Sequence, residues 1–383
     1  MVKLRGGRSF PLVPGERLLA RLLHHPHVAG SVCLLILCCF AVAGLWPFRQ
    51  IPNEVTWLSN RPGVHFGKHG IILSAGALPA VGSGDCSIEM WVRPAGGEES
   101  STLLAFYGPG GGTGISLQRS LTDLRLDREI AGGRPDKAYI GDVLLDGKLV
   151  FVTVVSSAHG TAVYLDGALV RKVSRLRSRS GDCSGSLGVG HPARGHTSWQ
   201  GEIYGLAIHH HELTPAQVQS SYRSWLTTGR PDDRNSEKAA ALYLFNEKGG
   251  SAVRDHGRAG VRLTIPELYS NIQRTWLESP RLAYESGWGY FDDIVINIGG
   301  FIPFGFALSA FLASIGRVHR VRAWAIFGGL CVSLAIETLQ VYLPTRNSDL
   351  TDVLTNTLGA CLGAAIYALW RRRMIQAGVA TRV

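Results

Sequence analysis

Ile336-Glu337-Thr338-Leu339-Gln340 places a carboxylate and an amide inside an apolar run, 323–343, that is long enough to cross a bilayer. A charge at membrane depth costs roughly 3 kcal/mol on insertion scales, so such a residue is a functional-site hypothesis by default. Two further apolar runs, 294–313 and 353–370, flank it and carry polar groups of their own. Asn297 lies one turn into the first, followed by Gly299, Gly300, Pro303 and Gly305. Asp352, Asn356, Gly359 and Gly363 step by four, three and four, so they share one helix face. Gly359 and Gly363 admit a neighbouring backbone, and Gly300, Pro303 and Gly305 are expected to serve helix packing as well. At ~1.5 Å per residue, Glu337 lies roughly 9 Å inside the outer end of its helix, with Asn297 and Asn356 at similar or shallower depth.

Asn297, Glu337, Gln340, Arg346, Asp349, Asp352 and Asn356 are thus expected to converge near one membrane surface. Two readings stand side by side. The groups hold helices together by hydrogen bonds, or they line a polar pocket for a polar or lipid-linked group, with Arg346 facing an anion. The number of ionisable groups favours the pocket.

A fourth apolar run, 28–46, lies near the N-terminus. It reads as a retained span or as a signal peptide cut after Ala41-Val42-Ala43; its length and the long basic tail before it favour retention. The net charge of +10 sits beside these runs, at Arg5, Arg8, Arg17 and Arg21, at Arg317, Arg320 and Arg322, and at Arg371 to Arg373. Cations so placed set membrane orientation, and no nucleic-acid motif accompanies them. With the basic segments in the cytoplasm, both termini are cytoplasmic and the long segment between the first two spans is outside. The expected order is a tail 1–27, a span 28–48, an external domain 51–270, an interfacial connector 271–292, three spans within 293–372 and a tail 373–383. Trp276, Trp288 and Tyr290 suit a connector lying on the outer leaflet.

The external segment alternates with a period of two. Ile88, Met90 and Val92 alternate with Glu89 and Trp91, and Phe151, Thr153 and Val155 with neighbouring valines. Asp146-Gly147 and Asp166-Gly167 between such runs are hairpin signals. Many strands with turns between them predict an all-β jelly-roll sandwich. One helix is predicted, with Thr214 as N-cap, Pro215 at its first position and Gln217 completing a capping box.

Gly201-Glu202-Ile203-Tyr204-Gly205-Leu206-Ala207-Ile208 with Glu212-Leu213-Thr214-Pro215-Ala216-Gln217-Val218 resembles the closing strand and helix of LamG-like jelly rolls in the concanavalin A-like lectin/glucanase superfamily. Gly63-Val64-His65-Phe66 and Ser87-Ile88-Glu89-Met90-Trp91-Val92 resemble its opening strands. Ala241-Leu242-Tyr243-Leu244-Phe245-Asn246 resembles a further strand, here following the helix and expected to complete a sheet. The resemblance implies a glycan or protein ligand.

Asn297-Ile298-Gly299-Gly300-Phe301-Ile302-Pro303-Phe304-Gly305-Phe306, Ile336-Glu337-Thr338-Leu339-Gln340, and Arg346 with Asp349, Asp352, Asn356, Gly359 and Gly363 resemble the VanZ-like membrane family in three motifs in order. Leu45-Trp46-Pro47-Phe48 resembles the end of that family's first span. The fold implied is a jelly roll inserted into a four-helix membrane domain of a bacterial cytoplasmic membrane. The family's founding association is reduced susceptibility to teicoplanin, with no established reaction, so the resemblance implies an envelope role and lipid contact.

Other chemistry is weakly signalled. Glycanases need closely spaced carboxylates, and none stand together on an alternating run. Asp123 and Asp127 share a strand face; they read as surface charge in preference to calcium ligands. His209, His210 and His211 read as a solvated turn in preference to a metal site, and the glycine-rich 108–114 lacks the residues of a phosphate cradle. Cys86 and Cys183 are a candidate disulfide in an oxidising compartment. No catalytic residue is assigned. The favoured function is a non-enzymatic envelope protein; the alternatives are an enzyme or transporter using Glu337 and Asp352 as acid/base groups, and a purely structural module.

Overall fold

The computed structural model describes residues 22–46, 50–80, 84–96, 100–108, 113–128, 135–179, 181–191, 198–232, 239–270, 276–280, 288–316, 319–343, 346 and 348–377, with Gly15. Pro47 and Phe48, most of the 108–114 loop, the basic residues of the N-terminal tail, Arg317, and the side chains of Trp288 and Tyr290 lie outside these. The chain divides into a helical unit, Met1–Arg49 with Arg274–Val383, and a sheet unit, Gln50–Gln273.

The sheet unit is a sandwich of two antiparallel sheets. The first orders β1 (Val55–Trp57), β2 (Val64–Phe66), β13 (Gly201–His209), β4 (Cys86–Pro94), β9 (Val150–Ser157), β10 (Gly160–Leu165) and β11 (Ala168–Val173), with β14 (Ala241–Tyr243) also on β13. The second orders β15 (Ala252–Val253), β16 (Leu263–Thr264), β3 (Ile72–Leu78), β12 (Gly185–Val189), β5 (Ser101–Tyr107), β6 (Thr113–Ser120), β7 (Asp123–Arg128) and β8 (Asp136–Ile140). Ile88, Met90 and Val92 of the first sheet meet Leu117, Leu124 and Leu187 of the second in the core between them. Cys86 and Cys183 are bonded across the sandwich, with Cα atoms 6.4 Å apart.

Asp166-Gly167 closes the β10–β11 hairpin, and both residues have the positive φ that such a two-residue turn requires, 50° and 79°. Asp146-Gly147 turns the chain but closes no hairpin: β8 and β9, on either side of it, belong to different sheets. The strand expected at 241–246 is β14, and it pairs with β13.

Helix α1 (Pro26–Leu45) belongs to the helical unit, whereas α2 (Pro215–Thr228) caps the sandwich. In α2 the Thr214 side chain accepts from the Gln217 amide, the Gln217 side chain returns to the Thr214 amide, and Gly229 ends the helix in the left-handed region. Trp225 of α2 lies on Gly205 of β13, where a Cβ would come within 2.2 Å of its ring. This helix explains a departure from the alternation expected of β9. All eight of its residues are buried, because Phe151 and Val155 on its outer face pack under Trp225, Tyr222 and Val218.

The same cover corrects the reading of the histidine run. His209 ends β13, fully buried, and its Nε2 stands 3.2 Å from an equally buried Glu89 carboxylate. The polar outer face of β4 is internal because the segment after β13 folds back over it: Ser87 Oγ donates to the His211 carbonyl and accepts from the Leu213 amide. Asp123 and Asp127 share a face as expected, yet each is engaged separately, Asp123 by the Asp142 amide and Asp127 by Arg125.

In the helical unit, α1 is followed by α3 (Trp288–Ile315), α4 (Val321–Gln340) and α5 (Leu350–Gln376). All four are long and apolar enough to cross a membrane. Phe40 of α1 stacks on Phe301 of α3 with ring centroids 4.4 Å apart, and Ala29 packs near Ala310 and Tyr367. The first helix is therefore a packed member of this bundle along most of its length.

Candidate membrane polar site

The closest helix pair sets the geometry. A Cβ on Gly359 would lie 2.4 Å from the Ile298 carbonyl, one on Gly363 2.1 Å from the Ile302 carbonyl, and one on Gly305 2.1 Å from the Ala360 carbonyl. Only glycine permits α3 and α5 to approach this far. Gly300 and Pro303 do not take part, contrary to expectation. Gly300 has open space around its Cβ position and Pro303 is exposed. The contact stripe on α3 runs 298, 301, 302 and 305, and residues 299, 300 and 303 occupy the opposite face.

That close approach brings Asn297 against Asp352: the Asn297 amide donates to the Asp352 carboxylate at 2.9 Å. Glu337 of α4 is 1% exposed. Its carboxylate accepts from the Asp349 amide at 2.7 Å, and Asp349 in turn caps α5 by accepting from the Thr351 amide at 2.8 Å. Asn356, one turn further along α5, donates to Ser333 of α4 at 3.0 Å. Gln340 donates to the Gly44 carbonyl of α1 at 2.8 Å. All of these residues gather at one end of the helical unit, where α1 and α4 finish and α5 begins.

Arg346, expected to face an anion, is bonded to backbone at the end of α1. Its guanidinium donates to the Trp46 and Ala43 carbonyls at 3.1–3.3 Å, taking up backbone acceptors that the end of α1 leaves open. Ala43 is the last residue of the stretch a signal peptidase would cut.

Several residues of the cluster carried no signal in the sequence. Ser333 and Ser348 are buried, at 0% and 1%. Residues 276–278 run across the α4–α5 loop, with Leu277 N on Ser348 Oγ at 3.1 Å, Glu278 N on the Ser348 carbonyl at 2.8 Å and Trp276 Nε1 on Thr338 at 3.3 Å. A helix-period search passes over single serines, and a loop that pairs with another loop has no period to find. Gln340 Oε1, Thr351 Oγ1 and Asn356 Oδ1 are buried with no hydrogen-bond partner among the described residues. An unpaired buried acceptor costs about 1–3 kcal/mol. Among the described residues no group of three His, Cys, Asp or Glu is arranged to hold a metal ion.

Residues 241–371 match the VanZ/LLP1 family, and residues 67–219 match the concanavalin A-like lectin/glucanases superfamily. The chain carries a VanZ-like domain and a concanavalin A-like domain. The VanZ-like match takes in α3, α4, α5 and the last strands of the sandwich, while α1 lies outside it. Protein VanZ of Enterococcus faecium is 35% identical over 88 residues, which are 23% of this chain and 52% of that protein. The chain thus spans about half the length of this curated relative. Among solved structures, a SAP-like pentraxin of Limulus polyphemus aligns with TM-score 0.36 and 15% identity over 58% of this chain and 95% of that one. A Bacteroides ovatus protein, described as a candidate carbohydrate binder, aligns with TM-score 0.40 and 11% identity over 57% and 59%. The four apolar helices and the VanZ-like match make this a membrane protein.

Proposed function

We propose that this is a non-enzymatic protein of a bacterial cytoplasmic membrane whose VanZ-like helices engage a lipid-linked or cell-wall component. The concanavalin A-like domain is its extracytoplasmic ligand-binding part, for a glycan or an envelope protein. A role in glycopeptide susceptibility is one consequence of such engagement. The observation that carries this reading is the cluster around Glu337: an acid and amides buried between helices, with three acceptors that have no partner among the described residues. Polar groups that served packing alone would gain by pairing fully. Arg320, Arg322 and Arg371 to Arg373 stand at the opposite helix ends, which supports cytoplasmic placement of those ends by the positive-inside rule. The Cys86–Cys183 bond supports an oxidising compartment for the sandwich.

The test is photo-crosslinking of the full chain, in its native membrane, to a polyprenyl-diphosphate-linked sugar carrying a photoreactive group. Label is expected on peptides of α3, α4 and α5. Labelling no stronger than on an unrelated four-helix membrane protein would remove the reading.

A further inference from the structure

The β10–β11 hairpin runs on into a segment that the proposed function leaves unused. From residue 168 to residue 179 the chain carries Arg171, Lys172, Arg175, Arg177 and Arg179 and no carboxylate. All five cations are exposed. β11 is the outermost strand of one sheet and β8 the outermost strand of the other. Two of the arginines reach across between them. Arg171 donates to the Tyr139 carbonyl and Arg175 to the Lys137 carbonyl, both at 2.7 Å. Their acceptors stand two residues apart on β8, roughly 7 Å along the strand. Arg177 is held by the Ser174 carbonyl at 3.1 Å, and the buried Arg128 donates to the Arg177 carbonyl at 2.6 Å, fixing the end of the run.

Among the described residues, none of Arg171, Lys172, Arg175 and Arg177 forms a salt bridge. The acids along the seam are already engaged: Asp127 by Arg125, Asp136 by Arg128, and Asp182 by the Arg179 amide. A row of like charges left uncompensated costs self-repulsion, and a guanidinium bonded to a carbonyl through one N–H keeps others for an anion.

We propose that the seam between β8 and β11 binds a linear polyanion, a polymer bearing phosphate or carboxylate at each repeat, through forks of Arg171, Arg175 and Arg177 with Lys172 beside them. The proposal rests on the reading of the sandwich as a ligand-binding part and names its ligand class. A polymer fits better than a bilayer surface because Arg171 and Arg175 are each held on a β8 carbonyl, at fixed places two residues apart along that strand. Attraction to anionic lipid asks only for basic residues near the surface, in no fixed row.

The experiment uses the full chain in nanodiscs of zwitterionic lipid, with long-chain polyphosphate as probe. Wild-type protein should bind it with an affinity that falls steeply as salt rises. K172E/R177E reverses two charges that make no cross-sheet bond, and it should weaken binding at least about tenfold. R223Q/R258Q, which removes cations elsewhere on the sandwich, should bind as wild type. Wild-type affinity in K172E/R177E, or attachment to anionic vesicles but not to polyphosphate, would overturn the proposal. If a neutral-glycan array is positive while polyphosphate is not bound, the seam fails and the ligand-binding reading stands. Blanks on both remove the seam and leave an envelope protein as the ligand of the sandwich.

Discussion

Gly363→Ala on α5 and Gly299→Ala on α3 make the same chemical change in the same bundle, with opposite expected signs. At Gly363 the added Cβ would sit 2.1 Å from the Ile302 carbonyl and 2.7 Å from the Phe306 nitrogen, both backbone. Bringing the first contact to 3.0 Å, the short limit for a real Cβ, means moving α3 and α5 apart by 0.9 Å. Overpacking of this kind costs about 1–3 kcal/mol, offset by the roughly 0.5–1 kcal/mol that alanine gains over glycine in a helix. At Gly299 nothing lies within 4 Å of the added atom, so only the gain remains. The two variants should therefore differ by about 2 kcal/mol, roughly 30-fold in folding constant. Reversible unfolding of the purified protein in mixed micelles, titrated with dodecyl sulfate, measures the difference. The same separation should loosen the 2.9 Å bond from Asn297 to Asp352. G363A as stable as wild type, or G299A losing as much, would refute the account of the α3–α5 contact.

Other expectations follow from the sandwich and the helix ends. C86S/C183S removes a crosslink across 97 residues and should cost the sandwich about 4–5 kcal/mol by the chain-entropy account, read as a lower melting temperature. E89A leaves His209 Nε2 buried without this partner and should cost about 1–3 kcal/mol, while E89L/H209L should recover most of the loss in the same melt. T214A should cost about 1 kcal/mol through the lost cap of α2. R346L removes the side-chain donor to the Ala43 carbonyl and should lower the unfolding free energy, read from the dodecyl sulfate titration, by about 1–3 kcal/mol.

What the sequence disclosed was whatever is decided locally or by one period. Thr214 with Gln217 announced α2, Asp166-Gly167 announced the β10–β11 turn, and the four-three-four spacing put Asp352, Gly359 and Gly363 on the face that meets α3. What it withheld was decided by a second partner. Glu89 and His209 sit at outer-face positions of their strands and read as solvated; they are buried because α2 and the segment before it return over that face. Gly300 and Pro303 follow Asn297 more closely than Gly305 does, yet of the three only Gly305 faces α5, and the helix phase that decides this depends on where α3 is gripped. Arg346 read as a partner for an anion, and its bonds to the end of α1 depend on a helix some 300 residues earlier in the chain.

The claim on which the functional account turns is that the buried acid between α4 and α5 serves a ligand and is more than a tie between helices. Glu337→Gln keeps the acceptor for the Asp349 amide and removes the acid. The direct measurement is the yield of photo-crosslinking to a polyprenyl-diphosphate-linked sugar for this variant, at protein levels and unfolding midpoints matched to wild type. The account predicts a folded protein with a yield at least about tenfold lower, the scale of one lost hydrogen bond. Undiminished crosslinking in E337Q would contradict it.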